Sequence, residues 1–145
     1  MDYNASFQIS ASGMSLEKLR LDVTAANLAN MNVAASSPDK LYRPMRVLAQ
    51  AVPLSFSKQF DMTYSVQSGG AQAVGLESLS VVPRTVYEPG HPYADAKGFV
   101  SYPGVNHAAE MVNLTTALRA YDANVVALNA ARTMASRALE IGGQS

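Results

Sequence analysis

The chain has 145 residues, of which 48% are apolar, and a formal net charge of zero. One domain of ordinary size is expected, with enough apolar residues for a core, and the neutral balance gives no reason to expect a nucleic acid or an anionic membrane as partner. There is no cysteine, which excludes disulfides and thiolate-ligated metals.

The chain opens MDYNASFQIS. It shows no basic n-region, apolar h-region or small-residue cleavage site, so it is not expected to be a secretory signal peptide. No stretch carries the run of apolar residues needed to span a bilayer, and no direct membrane insertion is expected.

Residues 5 to about 34 read as a helix. At ~100° per residue, Ala5, Ile9, Leu16, Leu19, Val23 and Ala26 gather on one side. Phe7, Met14, Leu21 and Leu28 recur every seven residues on nearly the opposite side. A surface helix normally has one apolar stripe, and two opposed stripes imply two partners. The second stripe is left either for another chain or for the middle segment of this one. Gly13 and the many Ala and Ser residues keep the helix narrow enough for another backbone to come close. Asn27, Asn30 and Asn32 sit near its end. Their amides compete for backbone groups, so they either cap a fraying terminus or bond across a helix interface. Pro38 ends the element.

The middle is β and loop. Residues 42–52 alternate, with Met45, Val47, Ala49 and Ala51 on one face, and Pro44 and Pro53 suit an edge strand. The Arg43/Arg46 pair reads as a solvated strand face. Residues 54–72 are rich in Ser and Gln and end in Gly69-Gly70, as a long loop or a loose hairpin around Phe60 to Val66. A second strand region covers Val74 to Tyr87, interrupted by Pro83. Glu88-Pro89-Gly90 and Ala96-Lys97-Gly98 are turns, and Phe99, Val100 and Tyr102 form a short closing strand.

From Asn106 to Ile141 the apolar residues recur every three and four positions. Met111, Leu114, Leu118, Tyr121, Val125, Leu128, Ala135 and Leu139 share one stripe, with Arg132 its single polar member. About four heptads at a 3.5-residue repeat mark a helix packed along another. Asn106 is the expected N-cap, Glu110 lies in the first turn, Arg137 in the last, and Gly142-Gly143 supplies the stop. The fold class is mainly α with a small β module: two long terminal helices forming an antiparallel, coiled-coil-like pair.

No enzymatic chemistry emerges. His91, His107, Glu88 and Asp95 lack metal-ligand spacing, Gly69-Gly70 is not followed by a Lys-Ser/Thr and a helix, and no nucleophile elbow is present. No catalytic residue, cofactor or metal is assigned.

Three stretches then resemble the flagellar basal-body rod proteins, part of the flagellar axial family. TAANLANMN (residues 24–32) is similar to the N-terminal rod signature centred on Ala-Asn-Leu-Ala-Asn. EMVNLTTALRAYDANVVALNAARTMASRALEIG, from Glu110, is similar to the family's C-terminal helix. VYEPGHPYADAKGFVSYPGVN (residues 86–106), with SPDKLYR (residues 37–43), narrows the resemblance to the proximal-rod branch. Residues 54–72 are longer than the equivalent family segment, and Gly104 stands where the family more often has Asn.

The resemblance implies a structural subunit of the proximal rod, stacking helically into a hollow shaft that carries torque and encloses the export channel. It implies residues 1–36 and 106–145 as helices of the axial core and residues 37–105 as an outer module. Implied partners are further copies, neighbouring proximal- and distal-rod subunits, the adaptor at the membrane ring, and the flagellar type III export apparatus, with the periplasmic rod as location. On this reading Phe7, Met14, Leu21, Asn27, Leu28 and Asn30 face other subunits. Ile9, Leu16, Val23, Met111, Leu114, Leu118, Tyr121, Val125, Leu128 and Leu139 form the seam within the chain. Other readings are a different rod or adaptor subunit, or a helical binding module of the export-chaperone kind.

Overall fold

The second long helix begins where its cap residue predicts. Asn106 Oδ1 accepts the Ala109 backbone N–H at 3.2 Å, and its carbonyl accepts that of Glu110 at 3.0 Å, which satisfies two N–H groups a helix start leaves open. The computed structural model describes residues 3–52 and 69–142. Helix α1 spans Tyr3–Asn30 and helix α2 His107–Gly142. Between them, among the described residues, lie a 3-10 turn at Pro38–Lys40 and strands β1 (Met45–Val52), β2 (Gly70–Ser78), β3 (Arg84–Tyr87) and β4 (Phe99–Tyr102). The architecture is two long helices with a small β region made of two two-stranded sheets, β1 with β2 and β3 with β4.

Helix α1 ends about four residues before the expected 34. Asn30 turns its amide back onto the Ala26 carbonyl at 2.8 Å, the local competition that makes Asn a poor interior helix residue. The strand expected over 42–52 starts later, because Pro44 has no N–H; its carbonyl still accepts the Leu79 N–H at 2.7 Å. The strand expected from Val74 to Tyr87 is two strands broken around Pro83, and β2 begins four residues earlier, at Gly70, inside the expected loop. Most of that loop, including Phe60 to Val66, lies outside the described residues.

The chain forms two compact units. One comprises Met1–Leu19, Ala49–Val74 and Ala117–Ser145; the other comprises Arg20–Leu48 and Gly75–Thr116. Each takes part of both helices. In the first, Ser10, Leu16, Glu17, Ala117 and Ala131 are buried, and Gly13 meets α2 closely. A Cβ built on Gly13 would lie 2.7 Å from Asn124 Oδ1.

The second unit buries Val23, Thr24, Asn27, Leu41 and Val100. Strands β3 and β4 pair antiparallel, with Arg84 opposite Tyr102 and Tyr87 opposite Phe99. Both facing pairs interact: Tyr87 and Phe99 meet edge to face at 5.4 Å, and the Arg84 guanidinium lies 5.2 Å from the Tyr102 ring centre. Asp95 ties the connection between them, its Oδ1 accepting the N–H groups of Lys97 at 2.8 Å and Phe99 at 2.9 Å. Those bonds favour the ionised carboxylate and hold Asp95 below its ordinary pKa. Gly104 packs so tightly on the Val82 carbonyl that any Cβ would collide with it. This explains why a glycine stands there.

Two sequence expectations change here. At ~100° per residue, the buried Ser10, Glu17 and Thr24 fall between the two apolar stripes of α1. The covered side of α1 therefore includes Leu16 and Val23 of the first stripe together with small or polar residues lying between the two stripes. On α2, the expected set 111, 118, 125 and 132 is displaced by one residue. Ala117 and Ala131 are buried and Glu110 and Asn124 half-buried, while Met111, Leu118 and Leu139 stay exposed. Leu114, Tyr121 and Leu128 are half-buried, as is Val125. Small side chains let two helix backbones approach, which a count of large apolar residues does not detect.

Candidate functional site: a helix junction and an open apolar face

Asn27 is the most completely bonded side chain of the second unit. It is only 2% exposed. Its Nδ2 donates to the Met45 carbonyl at 2.9 Å and to Glu110 Oε2 at 3.2 Å. Its Oδ1 accepts the Tyr42 hydroxyl at 2.8 Å and the Met45 N–H at 3.0 Å. An amide offers two donor hydrogens and two acceptor lone pairs, and all four are used. Burial, and then the Glu110 carboxylate, raises the Tyr42 pKa, so the hydroxyl stays a donor. Three elements thus meet on one side chain: the last turns of α1, the entry to β1 and the first turn of α2.

Asn27, expected to face another subunit, therefore uses its amide wholly within its own chain. Asn30 bonds its own helix. Phe7, Met14, Leu21 and Leu28 are half-buried. Of the residues expected in the intrachain seam, Leu16 and Val23 are buried and Ile9 is exposed. Tyr42 and Glu110 were missed as partners of Asn27, because nothing local links positions so far apart in sequence.

The large open apolar surface lies on α2. Val112 (65% exposed), Val126 (67%) and Ile141 (79%) lie outside the covered face of Ala117 and Ala131, with exposed Met134 at the edge nearer Ala131. Exposed Ala123 and Ala130 continue the stripe, and Met111 and Leu118 border the covered face from another side. Sequence periodicity overlooked this stripe because Arg119, Thr116 and Arg137 interrupt it. The second unit also holds a cavity of about 180 Å³ lined by Pro38, Leu41, Pro44, Leu79, Pro83 and Pro103, among others. His91 accepts the Tyr93 N–H on Nδ1 at 3.1 Å. Among the described residues no three His, Cys, Asp or Glu side chains converge, and no helix is long and apolar enough to cross a membrane.

Known proteins match over the same elements. Residues 7–34 match the family model described as Flagella basal body rod protein, and residues 96–141 the one described as Flagellar basal body rod FlgEFG protein C-terminal. The chain is 34% identical over 136 residues to the flagellar basal-body rod protein FlgC of Escherichia coli O157:H7, an alignment covering 94% of this chain and 95% of the relative. It is 34% identical over 144 residues to the protein of the same name from Bacillus subtilis, covering 94% and 96%, and 33% identical over 136 residues to that of Salmonella typhimurium, covering 94% and 95%. The rod signature lies on α1, the C-terminal model on the β4 region and α2, and a chain built of long helices with an uncovered apolar face belongs to the flagellar basal-body rod protein FlgC family, as a structural rod subunit of the basal body.

Proposed function

We propose that this subunit occupies the proximal rod, where its two helices pair antiparallel and pack with neighbouring rod subunits into the hollow drive shaft. The observation that carries the assembly reading is the open apolar face of α2. Burying one large apolar side chain is worth roughly 1.5–3 kcal/mol, and Val112, Val126, Met134 and Ile141 remain in water in the single chain. Patches of this kind mark surfaces that meet other proteins. The half-buried Phe7, Met14, Leu21 and Leu28 extend the reading to the flank of α1.

Two contacts support the antiparallel pairing. Gly13 lies against Asn124, and Asn27 bonds Glu110. Positions rise along α1 as they fall along α2, by the same interval in each helix, and that interval is a multiple of the heptad.

The neighbours in this proposal are further copies, proximal- and distal-rod subunits and the adaptor at the membrane ring. Delivery is by the flagellar type III export apparatus to the periplasmic rod. The test is cryo-electron microscopy of hook–basal bodies purified from cells carrying this gene, with mass spectrometry of the same particles. Density for this chain beside the inner-membrane ring, with Val126 against a neighbour, is the expected result. Particles lacking the chain, with the protein left in the cytoplasm, would overturn it.

A further inference from the structure

Helix α2 carries two candidate seams that share Leu114, Tyr121 and Leu128. One adds Met111, Leu118 and Val125; the other adds Glu110, Ala117, Asn124 and Ala131. On apolar burial alone the first is favoured, since Met and Leu bury more surface than Ala. The structure uses the second: Ala117 and Ala131 are buried while Met111 and Leu118 are exposed. The two settings differ by a roll of one residue about the helix axis, roughly 100°. Something must favour the less apolar one.

We infer that Asn27 selects the rotational setting of α2 by holding Glu110. The bond from Asn27 Nδ2 to Glu110 Oε2, 3.2 Å, is made in the first turn of α2, so it fixes which side of that helix is turned inward from its start. Asn27 is itself immobilised by Tyr42 and by the N–H and carbonyl of Met45, so it cannot follow Glu110 around the helix. In the rolled setting Glu110 would leave and Nδ2 would lose a buried partner, an expensive state. Single buried polar residues fix register in coiled coils in the same manner, at a cost in stability. Asn27 is thus a positioning residue. Acting through Glu110, it keeps Met111 and Leu118 outside and aims the open apolar face.

The chain has no cysteine, so one introduced thiol reports without background. The test labels the full-length chain carrying either A117C or L118C with a thiol reagent, under native conditions. With Asn27 present, the thiol at position 118 is expected to react at least about tenfold faster than the thiol at position 117, as protection of a buried site requires. Asn27→Asp removes both donors and sets a carboxylate against Glu110, and the preference for position 118 should vanish or invert. Asn27→Asp combined with Glu110→Gln restores a donor and an acceptor across this pair with the roles exchanged, without the bond to the Met45 carbonyl, and should restore the preference. A role in filling space alone predicts no such rescue. The swap decides the matter whether or not Asn27→Asp folds by itself. Failure of the double variant to recover the preference, or an unchanged preference in Asn27→Asp, overturns the inference.

Discussion

Gly13 offers a direct measurement of how closely the two helices meet in the first unit. Replacing glycine by alanine inside a helix normally stabilises by about 1 kcal/mol. Here the new methyl would lie 2.7 Å from Asn124 Oδ1 and 2.9 Å from both Cγ and Nδ2. Either Asn124 swings away or the helices separate. Swinging breaks the Asn124 Nδ2 bond to the Ala120 carbonyl, 2.9 Å long, at about 0.5–1.5 kcal/mol. Separation carries an overpacking cost of about 1–3 kcal/mol. Gly13→Ala should therefore range from about 0.5 kcal/mol stabilising to about 2 kcal/mol destabilising. In an Asn124→Ala background nothing blocks the methyl, and the same change should recover the full gain of about 1 kcal/mol. The assay is urea unfolding of the four full-length proteins by circular dichroism at one protein concentration, analysed as a double-mutant cycle. A coupling of about 0.5–3 kcal/mol is expected. If Gly13→Ala stabilises equally in both backgrounds, the close approach is absent and the small-residue seam is wrong.

Three further expectations bear on the second unit and on assembly. Gly104→Ala drives a Cβ into the Val82 carbonyl; backbone cannot swing aside as a side chain can, so a loss of about 1–3 kcal/mol is expected, and an unchanged urea midpoint would count against the packing. Asp95 has a depressed pKa in the folded chain because it accepts backbone N–H groups. Its contribution is present above its unfolded value and is lost as the pH falls through the folded one, so the protection of the Lys97 and Phe99 amides, measured against their intrinsic exchange rates at each pH, should fall from about pH 4 downward, and Asp95→Asn should remove that acid step. Val126→Asp and Leu118→Asp change exposed positions; each should alter the stability of the single chain by less than about 0.5 kcal/mol yet exclude it from basal bodies, as mass spectrometry of the particles would show.

The legible parts of the sequence were those governed by local chemistry. Asn106 could be named as a cap because capping involves only the next few N–H groups. Both helices followed from periodicity, and the interruption at Pro83 from its missing N–H. The α2 seam was read one position off for a physical reason. A transfer-energy reading ranks Met111 and Leu118 above Ala117 and Ala131, whereas a helix contact opposite Gly13 rewards the smallest side chains. Asn27 was recognised as an unusual residue for a helix interior. Its partners Tyr42, Met45 and Glu110 are set by tertiary geometry, and a lone sequence does not reveal which of two interfaces, internal or external, an amide serves.

That error bears on what the chain is built to do. A monomer selected for stability alone would turn Met111 and Leu118 inward and leave the alanines in water, gaining apolar burial at each exchange. This chain does the reverse, and adds a saturated amide at Asn27 and a helix-weakening glycine at position 13. The arrangement leaves Met111 and Leu118 exposed in the single chain. On the proposed assembly, the exposed side chains are those with most apolar surface to bury against a neighbour, and that burial would stabilise the subunit in the rod. A subunit carrying the more apolar seam would be the better monomer and the poorer building block.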